Sequence, residues 1–286
     1  MVVEVSTNKS TGDRDGPSAD QKVGSSNLSE SAEYGAQAQN LAKSSAHNLG
    51  PQRWSAGPDR LHPRLRSPPM TPAGTDHLIW YASYGSNVNR ARFLCYLQGG
   101  TPDGASRPQR GARDQSLPRD DAPCVFRSAI RFAGYSKLWD GAPAFLEHRQ
   151  TSPGALGRRY LITKEQFADV VAQENSLDGP LSIPFDAVQP GAHTLIPTRV
   201  YDTIVGLDPV DGIPVATFTS SNVPEDQQAA PPSAAYLGTI LRGLVEVHEL
   251  DHAVLAQHLH GAGGVAPTWS VSEIERLLNA ETTTSP

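Results

Sequence analysis

Hydrophobic and polar positions divide the chain into an unpatterned first quarter and a patterned remainder. Residues 1–76 carry scattered apolar residues with no helical or strand period and are rich in Ser, Gly, Asn, Ala, Gln and Pro. Such a segment cannot bury enough apolar surface to offset the conformational entropy lost on ordering. We therefore predict a disordered tail over 1–76, with at most a short helix around residues 30–46.

Strand patterns begin at Leu78. The run 78–84 is β-branched and aromatic and ends at Gly85, as expected for a buried strand. Residues 101–128 are polar and rich in Pro and Arg, which predicts a long loop. Further strands are predicted at 129–136, 142–148, 156–163, 200–207 and 213–220, the last two forming a hairpin.

Helical patterns are interspersed irregularly among these strands. Asn87 can cap a helix that follows the first strand. Thr163 begins another, with Gln166 in place for a capping box. Because strands and short helices lack regular βαβ alternation, the sequence predicts an α+β fold. Three further helices are predicted at 234–247, 252–260 and 271–280.

Composition narrows the functional classes. The formal net charge is −6 and the isoelectric point is about 5.8, which does not favour a nucleic-acid partner. The start of the chain lacks the apolar stretch of a signal peptide, and no run approaches the 18 apolar residues typical of a membrane span. Cys95 and Cys124 are interpreted as reduced thiols. We expect a cytoplasmic protein without a membrane partner.

Two local features are candidates for chemistry. The turn Tyr84-Gly85-Ser86-Asn87 joins a strand to a helix, and backbone N–H groups at such a turn suit a carboxylate or an oxyanion. The alternative interpretation is an ordinary turn with an Asn cap. Glu174 extends the apolar stripe of Phe167, Val170 and Val171. A carboxylate buried there has a raised pKa, as a general base requires; alternatively the helix frays and Glu174 is solvated.

These features, in this order, resemble the γ-glutamylcyclotransferase-like family. Phe132 and the segment 139–144 resemble its "F…WxGG.A" strand pair, with Asp140 in place of a usual Gly. Glu174 falls where the family has its catalytic Glu, although the surrounding residues depart from its usual pattern. The segment 232–236, ending in Tyr236, resembles its "PS..Y" helix entry. The match covers residues 78–260.

The resemblance implies a small mixed β-barrel flanked by helices over 77–262, followed by a C-terminal helix and tail over 263–286. A cavity is expected under the 84–87 loop. The implied reaction cyclises a γ-glutamyl amide to 5-oxoproline, with Glu174 as acid and base. The substrate contacts are Tyr84, Gly85, Ser86, Asn87 and Tyr236. The implied partner is a small γ-glutamyl substrate; no metal or organic cofactor is required, and the sequence leaves the oligomeric state open.

Two alternatives accompany this hypothesis. The departures around Glu174 leave open a non-catalytic ligand-binding domain on the same fold. A Glu174 that points to solvent would favour this domain, whereas a Glu174 inside the cavity beside Ser86 would favour the enzyme. The sequence His248-Glu249-Leu250-Asp251-His252 also fits the zinc-hydrolase motif H-E-x-x-H. Against zinc, Asp251 can cap a new helix, which would separate the two histidines, and the chain has no methionine after Met70 to form a Met-turn.

Overall fold

The computed structural model describes residues 3–4, 74–103, 105, 107–222 and 229–279. The predicted tail over 1–76, including the helix around 30–46, therefore lies outside the described residues, except for positions 3–4 and 74–76. The described strands are β1 Val3–Glu4, β2 Leu78–Ser83, β3 Asp120–Val125, β4 Ser128–Phe132, β5 Tyr135–Ser136, β6 Ala144–Gln150, β7 Leu156–Thr163, β8 His193–Leu195, β9 Thr203–Val210 and β10 Ile213–Thr219.

Five α-helices and two short 3-10 turns complete the described elements. The 3-10 turn Ser86–Val88 follows β2, and a second spans Phe185–Ala187. The helices are α1 Arg90–Gln98, α2 Lys164–Glu174, α3 Ala234–Val247, α4 His252–His260 and α5 Val271–Asn279.

A mixed six-stranded sheet has the order β3-β7-β2-β10-β9-β8. Strands β2 and β10 run parallel, and the other neighbours are antiparallel. Separate antiparallel pairs form between β4 and β6 and between β1 and β5. The β4–β6 pair meets the larger sheet where the Thr219 side chain hydrogen-bonds the Leu146 backbone N and O, at 3.1 and 2.9 Å.

Both faces of the central strand β2 are buried. Because successive side chains point to opposite faces, Trp80 and Ala82 pack with the α3, α4 and α5 side, whereas Ile79 and Tyr81 pack with α1 and α2. The α+β class is thus confirmed, with helices flanking a mixed sheet. The expected barrel is partly open, since β3 and β8 are edges among the described strands.

The predicted loop over 101–128 is wrong at its end, where β3 pairs with β7 along its whole length. Asp120, Asp121 and Pro123 suggested a loop, but an edge strand tolerates proline. Its charge is also offset, since Asp121 forms an ion pair with the buried Arg158 of β7. Tertiary pairing thus overrides the local preference. The short strand β8 was also missed, and the strand predicted over 129–136 is divided into β4 and β5.

Helix α3 lies directly against the start of α1. At Gly243 an added Cβ would approach the Asn89 N and the Val88 C to 2.3 Å each. Only glycine therefore allows this close contact between α3 and the chain that follows Ser86. The contact fixes the height of the 84–87 loop above the sheet.

Helix α5 packs against α3 and α4. Its Ile274 and Leu278 lie among the buried residues of the core that those two helices share. None of the described helices is long and apolar enough to cross a bilayer.

Candidate functional site

One pocket opens between the 84–87 loop, the end of α2 and the start of α3. The empty space within it is about 390 Å³, which includes open solvent at the mouth. All six predicted site residues line it, so the sequence-predicted set is brought together. Those residues are Tyr84, Gly85, Ser86, Asn87, Glu174 and Tyr236, and the further lining residues include Tyr81, Trp139, Tyr201 and Phe218.

Hydrogen bonds from the sheet hold the loop in place. The Tyr84 hydroxyl donates to the Phe218 carbonyl at 2.7 Å, and the Tyr160 hydroxyl donates to the Asn87 carbonyl at 2.8 Å. The predicted cap was wrong: Asn89, not Asn87, caps α1 by accepting from the Arg92 N at 3.0 Å. Asn87 lies within the preceding 3-10 turn, which leaves its side chain available to the pocket.

Glu174 is the last residue of α2 and is buried, with 8% of its surface exposed. The predicted capping box at Thr163 and Gln166 is present, and Phe167, Val170 and Val171 form the expected buried stripe. The helix does not fray, because Asn175 at its end donates to the Val171 carbonyl at 3.0 Å and accepts from the Tyr201 N at 2.9 Å. Glu174 therefore faces the pocket rather than solvent.

The carboxylate of Glu174 has two kinds of neighbour. Its Oε1 accepts a hydrogen bond from Asn87 Nδ2 at 2.8 Å. Burial disfavours the charged form and raises the pKa of Glu174 above its usual range. The positive charge of Arg92, the Tyr96 hydroxyl and the Asn87 amide each lower the pKa in part. A carboxyl group with a raised pKa suits a role in which it both accepts and returns a proton.

Tyr236, on the first turn of α3, closes the opposite wall. Its hydroxyl accepts from the Ala144 N at 3.2 Å, and burial raises its pKa to about 12. The phenol is therefore neutral at physiological pH. A Cβ at Gly85 would lie 3.1 Å from this hydroxyl, so glycine gives Tyr236 its close approach to the loop.

Two polar residues near the site were not predicted, Arg92 and Tyr96 on the inner face of α1. Both are buried, and the Arg92 guanidinium stacks on the Trp139 ring with its Cζ 4.5 Å from the centroid. The available signal was spacing, since positions 92 and 96 lie beside the apolar positions 93 and 97 on one helix face. From the sequence alone, neither residue was assigned a role.

The H-E-x-x-H segment does not form one helix. Helix α3 ends at Val247, and α4 begins at His252 with Asp251 at the N-cap position, although the Asp251 side chain makes no capping hydrogen bond. His248 Nε2 donates to the Gly157 carbonyl at 2.9 Å. The zinc-hydrolase interpretation is therefore wrong, because the two histidines lack the shared helix face. Within the described part of the chain, no three or more His, Cys, Asp and Glu side chains are grouped to hold a metal ion.

Comparison with known proteins gives related structures and one related sequence. The chain resembles a gamma-glutamyl cyclotransferase of known structure. The TM-score is 0.40 with 16% identity, over 71% of this chain and 99% of that one. A crystal structure of an uncharacterized protein from Homo sapiens is similar at a TM-score of 0.41 with 16% identity and the same coverage. No family model matches the chain.

The related sequence is histone deacetylase 5 from Arabidopsis thaliana. It is 36% identical over an alignment 194 residues long, which covers 59% of this chain. The chain spans only 28% of that protein's length.

Proposed function

We propose that the chain is a cyclotransferase that converts a γ-glutamyl amide to 5-oxoproline and releases an amine or an amino acid. The observation that carries the proposal is the buried Glu174, which is hydrogen-bonded to Asn87 across a pocket that also contains Ser86. Intramolecular acyl transfer requires a group that moves protons and donors that stabilise the oxyanion. A carboxylate of raised pKa and nearby backbone N–H groups can serve these two roles.

Proton transfer in the proposed reaction involves Glu174 alone. Its carboxylate takes a proton from the substrate's α-ammonium, and the freed amine attacks the γ-carbonyl carbon to close a five-membered ring. The protonated Glu174 then gives this proton to the departing nitrogen as the original carbon–nitrogen bond breaks. The ring nitrogen still carries a second proton, which Glu174 takes up and passes to the released amine, so that the products are a neutral ring amide and an ammonium ion. Glu174 ends in its starting form, so no cofactor is consumed.

The 84–87 loop supplies donors for the substrate's carboxylate or the developing oxyanion. Neither the Gly85 N–H nor the Asn87 N–H donates to a backbone carbonyl in the part of the chain that the structure describes. Both are thus available to a ligand, together with the Ser86 hydroxyl. Asn87 Oδ1 is buried and lacks a partner among the described residues, and we assign it the substrate's ammonium.

Folding of the flexible γ-glutamyl chain supplies a further part of the rate. In a flexible chain the α-amine rarely approaches the γ-carbonyl carbon. A narrow pocket that selects the ring-forming conformer makes this approach frequent. The aromatic walls of Tyr201, Phe218 and Tyr236 favour that compact form and exclude water. Histone deacetylation, the activity in the longer relative's name, is not part of the proposal.

We also propose that the reaction takes place in the cytoplasm. The chain contains two cysteines, and both Cys95 and Cys124 are free thiols. Reduced thiols are typical of that compartment.

The test is a screen of γ-glutamyl amino acids, peptides and amines with chromatographic detection of 5-oxoproline. We expect turnover of at least one class, and a loss on the order of 10²- to 10⁴-fold in Glu174→Gln. Glu165→Gln is the matched control, because that glutamate lies on the same helix with 51% of its side chain exposed. Unchanged turnover in Glu174→Gln would refute its role, and binding of 5-oxoproline without any turnover would identify the non-catalytic alternative.

A further inference from the structure

Arg92 is a buried cation next to the pocket. It is 5% exposed, and it forms no ion pair within 4.0 Å among the described residues, although its charge lowers the pKa of Glu174. Buried arginines are almost always paired, because an arginine cannot give up its charge and desolvation of that charge is costly. The usual solution is a carboxylate held by two parallel hydrogen bonds.

The hydrogen-bonding capacity of Arg92 is largely unused. Its Nη2 approaches the Tyr96 hydroxyl at 3.5 Å, the outer limit of a hydrogen bond, and its Nε is buried with no partner among the described residues. A guanidinium has five N–H donors. An anionic group supplied from outside the chain would satisfy them.

The guanidinium is held in a fixed place. It stacks over Trp139, whose ring lines the pocket and lies 4.6 Å, centroid to centroid, from Tyr236. Asn89 accepts from the Arg92 backbone N, which anchors this turn of α1. The side chain is thus preorganised beside the pocket, so binding an anion costs little conformational entropy.

We propose that Arg92 binds the α-carboxylate of the γ-glutamyl group, so that the site selects ligands with a free carboxylate next to the reacting amine. This inference rests on the proposed function. The α-amine and α-carboxylate share one carbon atom, so a cation close to Glu174 meets the carboxylate when Glu174 meets the amine. The Tyr96 hydroxyl interacts with both charges, because it accepts from Arg92 Nη2 at 3.5 Å and lowers the pKa of Glu174 through a hydrogen bond.

This assignment differs from a simpler one, in which Arg92 acts only through Tyr96 on the charge of Glu174. A positioning role would change kcat and the pH profile but would leave the affinity for product unchanged. A carboxylate-binding role changes affinity, and only for ligands that carry the carboxylate. The product 5-oxoproline keeps the α-carboxylate, so it is a probe that needs no turnover.

The experiment measures binding of 5-oxoproline and of its neutral carboxamide by calorimetry, to the wild type, Arg92→Met and Arg92→Lys. We expect the wild type to prefer the acid. Loss of a charge-assisted bond in Arg92→Met should weaken acid binding about 10- to 100-fold and leave the carboxamide unchanged. Arg92→Lys, which keeps the charge but not the paired donors, should fall between. Arg107→Met, at an exposed arginine, is the matched control.

Equal binding of acid and carboxamide by the wild type would overturn the proposal, even if Arg92→Met fails to fold. Equal weakening of both ligands in a folded Arg92→Met would also overturn it. Failure of the cyclotransferase proposal would give a different result. The wild type would then show no turnover but would still prefer the acid, and this preference would still depend on Arg92.

Discussion

The side-chain amide of Asn87 donates a hydrogen bond to Glu174 Oε1 at 2.8 Å, although 87 positions separate the two residues in sequence. The bond joins the loop after β2 to the last residue of α2. It orients the carboxylate toward the pocket and, because it favours the charged form, opposes the effect of burial on the pKa of Glu174. Position and protonation of the proposed base thus depend on one contact.

The first prediction concerns this contact. Glu174 must be ionised to take a proton, so kcat/KM falls as pH drops through its pKa. In Asn87→Ala a group that lowers the pKa is removed, and the acid limb of the profile should move to higher pH. The lost bond to a charged group should also lower kcat/KM about tenfold or more at pH 7. A pH–rate profile of the two proteins measures both effects.

Asn222→Ala, at an exposed side chain, is the matched control and should keep the wild-type profile. An acid limb at the same pH in Asn87→Ala and the wild type would show that the bond does not set the protonation of Glu174.

The parts of the fold predicted from sequence are those in which local signals agree with the tertiary structure. Strand β7 and helices α3 and α4 have the predicted bounds, because their apolar periods coincide with clear caps such as Thr163 and Ser233. Strand β3 was missed because its charges are satisfied only by partners distant in sequence, chiefly Arg158.

The site divides in the same way. Glu174 was identifiable because a carboxylate interrupted an apolar stripe, which is a local anomaly. Arg92 was not identifiable from the sequence, because a buried arginine near the start of a helix has the same sequence pattern as an exposed arginine. Its burial depends on Trp139, which reaches it from a different part of the chain.

A second prediction separates stability from function at Glu174. Burial raises the pKa of this group above its unfolded value, so the stability that it contributes is present below the unfolded pKa and is lost as pH rises through the folded pKa. At pH 7 the wild type therefore bears a desolvation cost that the neutral Glu174→Gln does not. We expect Glu174→Gln to be at least as stable as the wild type at pH 7 and inactive.

Thermal or urea unfolding at pH 7 and at pH 4 provides the measurement. Any excess in the free energy of unfolding of Glu174→Gln over the wild type should shrink at pH 4, where the wild-type carboxyl is protonated. Glu165→Gln should stay within about 0.5 kcal/mol of the wild type at pH 7, as is usual for surface changes. A large destabilisation of Glu174→Gln at pH 7 would contradict the assigned electrostatics.

A third prediction concerns Gly85 and Tyr236. The Tyr236 hydroxyl is the one atom within 4 Å that a Cβ at position 85 would meet, at 3.1 Å. Gly85→Ala should therefore displace this hydroxyl slightly and lower turnover. Tyr236→Phe should cost about 1–3 kcal/mol in stability, because the Ala144 N–H loses its acceptor. A double-mutant cycle on kcat/KM tests whether the two effects are coupled.

In the Tyr236→Phe background the added methyl group at position 85 no longer meets the hydroxyl. The Gly85→Ala change should therefore cost less there than in the wild type, with a coupling of about 0.5–3 kcal/mol. Strictly additive effects would show that the close approach does not matter to the reaction.

The fourth prediction concerns His258 of helix α4. His258 Nε2 accepts from the Leu156 N at 3.1 Å, and burial lowers its pKa to about 4. The unfolded chain takes up this proton near pH 6.5, whereas the folded chain does so only near pH 4. The stability that His258 contributes should therefore be constant above pH 6.5 and be lost as pH drops toward 4.

The stability lost through protonation of His258 should be at most about 3 kcal/mol. The side chain is only half-buried, so solvent screens part of the effect. Glutamine at this position keeps an acceptor without a titrating proton, so His258→Gln should flatten the stability profile between pH 6.5 and 4. His260→Gln, on the same helix, should keep the wild-type slope. Urea unfolding across this range compares the three proteins, and parallel slopes for all three would rule out His258 as the source of acid sensitivity.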